Sequence, residues 1–182
     1  CSLVLTGSLC YTLHMKYLFT LIVITILSCC SPIATYPPVE VSLAVGFSNA
    51  SYEPVPTILV TTIKYAHSRY GGMETVVYNL PEGMLGETYD IVTSRVGDSA
   101  PLQNEGEPAY HITELRVRGL KAEADIIFPR AGGGYETATL YLSKSLSNPW
   151  RVSRERIWLI PVAQAPAPHY VFTEKTAIVD TE

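Results

Sequence analysis

The chain has 182 residues, 47% hydrophobic and 16% charged, with 13 basic against 17 acidic side chains and a net charge of −4. A chain near this size reads as one domain and buries roughly 70% of its unfolded surface, enough for a core without staples. Phosphate binding needs clustered Lys and Arg, and no basic block occurs, so nucleic acid is excluded as an expected partner.

The cysteines are Cys1, Cys10, Cys29 and Cys30. None follows residue 30, so no disulfide framework and no thiol nucleophile is available to the folded region. His67, His111 and His169 stand apart in sequence, without zinc-site spacing. No metal and no cofactor is expected.

In chain order, residues 1–14 open on Cys and read as a fragment or an upstream extension of the reading frame. Met15-Lys16, the apolar run Tyr17–Leu27 and the small Ser28 then have the layout of an export signal over residues 15–28. A membrane span needs about 20 apolar residues, and Ser31-Pro32 ends this run too soon. Ile26-Leu27-Ser28-Cys29 resembles the lipobox of bacterial lipoproteins. That resemblance implies lipidation at Cys29, or less favourably at Cys30, and a membrane as partner through the lipid anchor. The implied location is the cell envelope, on the periplasmic side or the cell surface. The alternative is an ordinary signal peptide with incidental cysteines. Residues 29–38 read as a tether, their prolines resisting regular structure.

A folded α+β domain is expected over residues 39–162. Val39, Val41, Leu43, Val45 and Phe47 alternate as in a half-buried strand. Pro56 suits a helix start and Gly71-Gly72 its end, with Ile58, Leu59, Thr62, Ile63, Ala66 and Tyr70 on one face. Glu74–Leu80 reads as a short strand closed by Pro81. Leu85–Val96 reads as a second helix with Leu85, Tyr89, Val92 and Val96 inward, ended by Gly97. Residues 98–108 are polar and read as a loop.

Consecutive strands are predicted over 109–118, 120–130, 135–144 and 150–160. Ala122, Ala124, Ile126 and Phe128 face one way, Glu123 and Asp125 the other; Ala138, Leu140 and Leu142 oppose Thr137, Thr139 and Tyr141. The small alanines invite a helix to pack closely. The first and last strands each carry two conflicting phases, which a bulge or strong bend would reconcile. Gly119, Gly132-Gly133-Gly134 and Asn148-Pro149 supply the turns. Residues 163–182 read as a flexible tail.

Helix, strand, helix and a four-strand run, with Ile112–Ala124, Thr139–Ser143 and Asn148-Pro149-Trp150-Arg151-Val152, resemble the cystatin-like, or nuclear-transport-factor-two-like, α+β roll. The resemblance covers residues 55–160. It implies a curved antiparallel sheet of four to six strands on two helices, with a pocket between them. Members of the group include isomerases, dehydratases, ligand binders and association modules, so fold does not fix function.

An acid/base enzyme of that kind would draw on His111, Asp125 and Tyr110, with Tyr78 and Tyr141 as further hydroxyls. Asp125 alternates with apolar neighbours and is expected to face solvent. His111 reads better as a hydrogen-bonded strand residue, and Tyr110 and Tyr78 as core aromatics. No nucleophile elbow occurs, and the glycine run precedes a strand, as a hairpin turn does and a phosphate loop does not. Arg116, Arg118, Arg151, Arg154 and Arg156 interleave with Glu114, Glu123, Asp125 and Glu155, as in a cross-strand charge lattice. Exposed Tyr141 or Trp158 within it, with Arg116 and Arg156, would mark a binding face for a protein or small ligand. The leading expectation is a non-catalytic binding domain; a pocket enzyme and a structural envelope component are the alternatives.

Overall fold

The computed structural model describes residues 33–38, 49–71, 73–130, 132–162 and 164–170, all within the unit Ile33–Glu182. Its elements are β1 (Ala34–Tyr36), α1 (Val55–Tyr70), β2 (Val76–Asn79), α2 (Gly86–Val96), β3 (Ser99–Pro101), β4 (Tyr110–Arg118), β5 (Lys121–Pro129), β6 (Tyr135–Ser143) and β7 (Arg151–Val162). The fold is α+β: a seven-stranded sheet in the order β3-β2-β4-β5-β6-β7, with β1 also on β4, and two helices. The proposed signal peptide, Cys29 and the alternating stretch 39–47 lie outside the described residues. Among those described, no helix is long and apolar enough to cross a membrane.

The apolar stripe of α1 builds the core. Val55, Pro56, Ile58, Leu59, Thr62, Ile63 and Ala66 are its buried residues, and they recur at the spacing that keeps one helical face inward. Fully burying such an aliphatic side chain contributes roughly 1.5–3 kcal/mol. The β-branched stretch of α1 stays helical because this packing outweighs its weak propensity penalty. Gly71 ends the helix at φ 63°, its N–H bonded to the His67 carbonyl at 3.1 Å. A residue without Cβ suits that left-handed position.

The helices cover what is here termed the inner face of the sheet. It carries Leu115 and Val117 of β4, Ala122, Ala124, Ile126 and Phe128 of β5, and Ala138, Leu140 and Leu142 of β6, all buried. The alanines leave room for α1. Tyr70 of α1 stacks on Phe128 at 3.8 Å between centroids. Glu155 of β7 also points inward and accepts from Arg69 at 2.9 Å and from Tyr65 and Tyr70 at 3.0 Å each. Those contacts, the Arg69 hydrogen bond first, hold its carboxyl below the usual range.

Both outer strands of the four-strand run are irregular, as their conflicting phases require. The β4–β5 register shifts between Ile112 and Glu114. The β6–β7 register shifts opposite Tyr141/Leu142 and opposite Tyr135/Thr137. Each shift turns the following side chains to the other face.

Several expectations need correction. The sheet is mixed, not wholly antiparallel, and has seven strands instead of four to six. β2 runs parallel to both β3 and β4, because α2, and then residues 102–109, each carry the chain back before the next strand begins. β3 lies inside the segment read as a loop; three residues are too few to show a period. Leu85, expected to face inward, is exposed at 54%, since it caps α2 in an extended conformation. Within the expected tether, Ala34–Tyr36 pairs with Leu115–Val117. Residues 164–170 of the expected flexible tail pack across the end of β2.

Candidate functional site

The face of the sheet turned away from the helices carries most of the polar chemistry. Four cross-strand neighbours form a hydrogen-bonded row: Arg116 on β4, Asp125 on β5, Thr139 on β6 and Trp158 on β7. Arg116 Nη1 donates to Asp125 Oδ2 at 2.8 Å. Thr139 donates its hydroxyl hydrogen to Asp125 Oδ1, and Trp158 Nε1 donates to Thr139 Oγ1 at 3.0 Å. Alternation and the bulges in β4 and β7 put all four on one side.

The two halves of this face differ in how their arginines are balanced. Over β4 and β5, Arg116 is paired with Glu114 at 2.8 Å, Glu123 at 3.3 Å and Asp125 at 2.8 Å. Partial burial opposes its charge, but the hydrogen bonds it donates to Asp125 and Glu114 outweigh that and raise the guanidinium pKa further. Over β6 and β7, the Arg154 guanidinium carbon lies 4.0 Å above the Tyr141 ring centroid, and that of Arg156 lies 3.8 Å above Trp158. Both arginines are exposed. Neither has a carboxylate partner among the described residues. A shallow cavity of about 330 Å³ lies beside Arg154 and Tyr141, bordered by Lys121, Glu123 and Ser153.

The three acid/base candidates do not converge. Tyr110 is on the inner face, where its hydroxyl donates to the Gly71 carbonyl at 2.8 Å. Both oxygens of Asp125 are engaged, one by Arg116 and one by Thr139. His111 lies on the outer face, but is only 1% exposed. Burial, then the neighbouring His169, lowers its pKa from 6.5 to about 4, so the ring is neutral at pH 7. None of the three borders either described cavity. No cluster of three or more metal-ligating side chains occurs among the described residues. Tyr78, the fourth candidate, is a core aromatic whose hydroxyl meets Thr93 at 2.6 Å.

The binding candidates fare differently. Arg116, Arg156, Tyr141 and Trp158 share the outer face, with Arg116 neutralised and the other three forming the arginine–aromatic half. Asp125 is not simply solvent-facing, being the hinge of the polar row. Sequence reasoning missed Thr139, which links Asp125 to Trp158; a threonine amid alternating threonines gives no signal. The alternation of Arg154, Arg156 and Trp158 along β7 was visible, and only the bulges hid which face it took.

The chain matches no known protein family, characterised protein or solved structure to which it was compared.

Proposed function

We propose that this chain is an exported, membrane-anchored lipoprotein of the bacterial envelope whose roll-like α+β domain binds an acidic partner without catalysis. The observation that carries the binding reading is the pair of exposed arginines lying over Tyr141 and Trp158 with no carboxylate partner among the described residues. A guanidinium over a ring face is attracted to it without being neutralised, and its planar fork of N–H donors can still bind a carboxylate. Arginine and aromatic side chains are also the types that dominate interface energetics. The helix–strand–helix order followed by an antiparallel run supports a cystatin-like roll. Ser28-Cys29 behind the apolar run supports the anchor, because acyl chains contribute about 0.8 kcal/mol per buried CH₂.

Titration calorimetry with a glutamate-rich decapeptide tests the binding. The full chain in mild detergent is expected to bind it saturably, and the double variant Arg154→Ala/Arg156→Ala to lose at least about tenfold in affinity, near 1.4 kcal/mol. Equal affinity of the two proteins would refute the reading. For the anchor, intact mass of the membrane-extracted chain is expected to show acylation at Cys29. An unmodified mature N-terminus downstream of Cys30 contradicts it.

A further inference from the structure

Residues 164–170 (Gln-Ala-Pro-Ala-Pro-His-Tyr) form an extended strap whose seat is built more thoroughly than the strap itself. The Asn79 side chain grips its backbone at two points. Asn79 Nδ2 donates to the Ala167 carbonyl at 2.8 Å, and the His169 N–H donates to Asn79 Oδ1 at 3.0 Å. His169 Nδ1 donates to the Leu80 carbonyl at 2.8 Å, and the Tyr170 ring packs on Tyr89 at 4.8 Å. The Asn79 amide thus acts as a neighbouring strand would, satisfying a carbonyl and an N–H two residues apart. Such contacts read an extended backbone and leave side-chain identity open.

The seat is buried. Asn79 and His111 are each 1% exposed, and the Tyr89 hydroxyl both accepts from Leu80 N–H at 3.2 Å and donates to Asn79 Oδ1 at 3.4 Å. Asn79 Nδ2 also approaches His111 Nδ1 at 3.4 Å. An amide nitrogen only donates, so His111 Nδ1 accepts and the ring proton sits on Nε2. That buried Nε2–H has no hydrogen-bond partner among the described residues, and an unmet buried donor costs about 1–3 kcal/mol. The occupant, by contrast, buries none of its residues, and Gln164 and Ala167 are exposed. Tyr170 packs against the core, but the other six residues bring no large apolar side chain, and a segment so composed opens locally at lower cost than the core. A cavity of about 430 Å³ lies beside the strap, bordered by its small residues Ala165, Pro166 and Ala167 and by Glu105, Gly106 and Tyr135; the Tyr135 ring meets His111 edge-on at 5.9 Å.

We infer that this seat is a docking site for an extended, proline-containing peptide segment of a partner protein, with the strap as its resident occupant. The partner segment carries bulkier apolar side chains where the strap has Ala165 and Ala167. Proline pre-sets the extended conformation and lowers the ordering cost of binding. The strap competes in cis at high effective concentration, so binding in trans is weak until the strap is released. This seat is separate from the arginine–aromatic half, and it stands or falls independently of the acidic-partner reading.

The probe is a labelled heptapeptide of the strap sequence with leucine at both alanine positions, titrated by fluorescence anisotropy against the full chain in mild detergent. The strap-releasing variant His169→Ala/Tyr170→Ala is expected to bind it at least about tenfold more tightly than the unaltered chain. Adding Asn79→Ala to that variant is expected to remove the gain. A peptide methylated on the amide nitrogen that Asn79 Oδ1 would accept from is expected to bind the releasing variant about tenfold more weakly, a comparison needing no Asn79 variant. Absence of saturable binding to the releasing variant, or equal binding of methylated and unmethylated peptides, overturns the inference.

Discussion

The β4–β5 and β6–β7 halves of the outer face use the same residue type for opposite ends. Arg116 is enclosed by Glu114, Glu123 and Asp125, so its charge is spent within the fold. Arg154 and Arg156 lie on Tyr141 and Trp158, where the ring orients a guanidinium without neutralising it. A charge lattice read from sequence alone treats these arginines alike. The structure separates a cluster paired with carboxylates from one that lies over aromatic rings without a carboxylate partner among the described residues.

Acid should act first on the β4–β5 half. His111 carries a pKa of about 4 when folded against 6.5 ordinarily. Between those values the unfolded chain holds a proton that the folded chain does not. Its contribution is therefore fully present above 6.5 and lost as the pH falls toward 4. From pH 7 to 4.5 the expected loss from this group is about 2–3 kcal/mol, read from urea midpoints. His111→Gln should flatten that slope while the charge-lattice variants leave it unchanged. A slope that survives the substitution would show that other groups carry it.

Arg116→Met comes next, because it leaves three carboxylates facing one another without their common cation. A loss of about 2 kcal/mol is expected in denaturant melts, diminished when Asp125→Asn is added. Where the halves meet, Trp158→Phe keeps a ring under Arg156 but removes the indole N–H that bonds Thr139. About 1 kcal/mol of stability should go, with much of the affinity for the acidic decapeptide retained. The smallest stability effect belongs to Arg154→Ala and Arg156→Ala, within about 0.5 kcal/mol each. Comparable destabilisation by Arg116→Met and Arg154→Ala would erase the distinction between the halves.

Much of the scaffold was legible because periodicity reports burial. Six residues named for the inner stripe of α1 include Ile58, Leu59, Thr62, Ile63 and Ala66, all buried in the structure. The alternation of β5 gave both its faces, and the phase conflicts in β4 and β7 announced bulges that are present. What the sequence hid depends on contacts between distant segments. The bulge at Ser153 reverses the parity of β7, so Trp150 and Val152 pack inward while Arg154, Arg156 and Trp158 turn outward. His111 feels His169, which belongs to a tail with no period of its own. Asn79 gives no local sign that it grips a chain some ninety residues later.

The most direct measurement is a chemical-shift map of the full chain in micelles, titrated with the glutamate-rich decapeptide. The account predicts saturable shifts at the Arg154 and Arg156 side-chain N–H groups and the Trp158 indole, with Arg116, Asp125 and His111 unmoved. Shifts centred on Arg116 or His111, or none on β6 and β7, would contradict it.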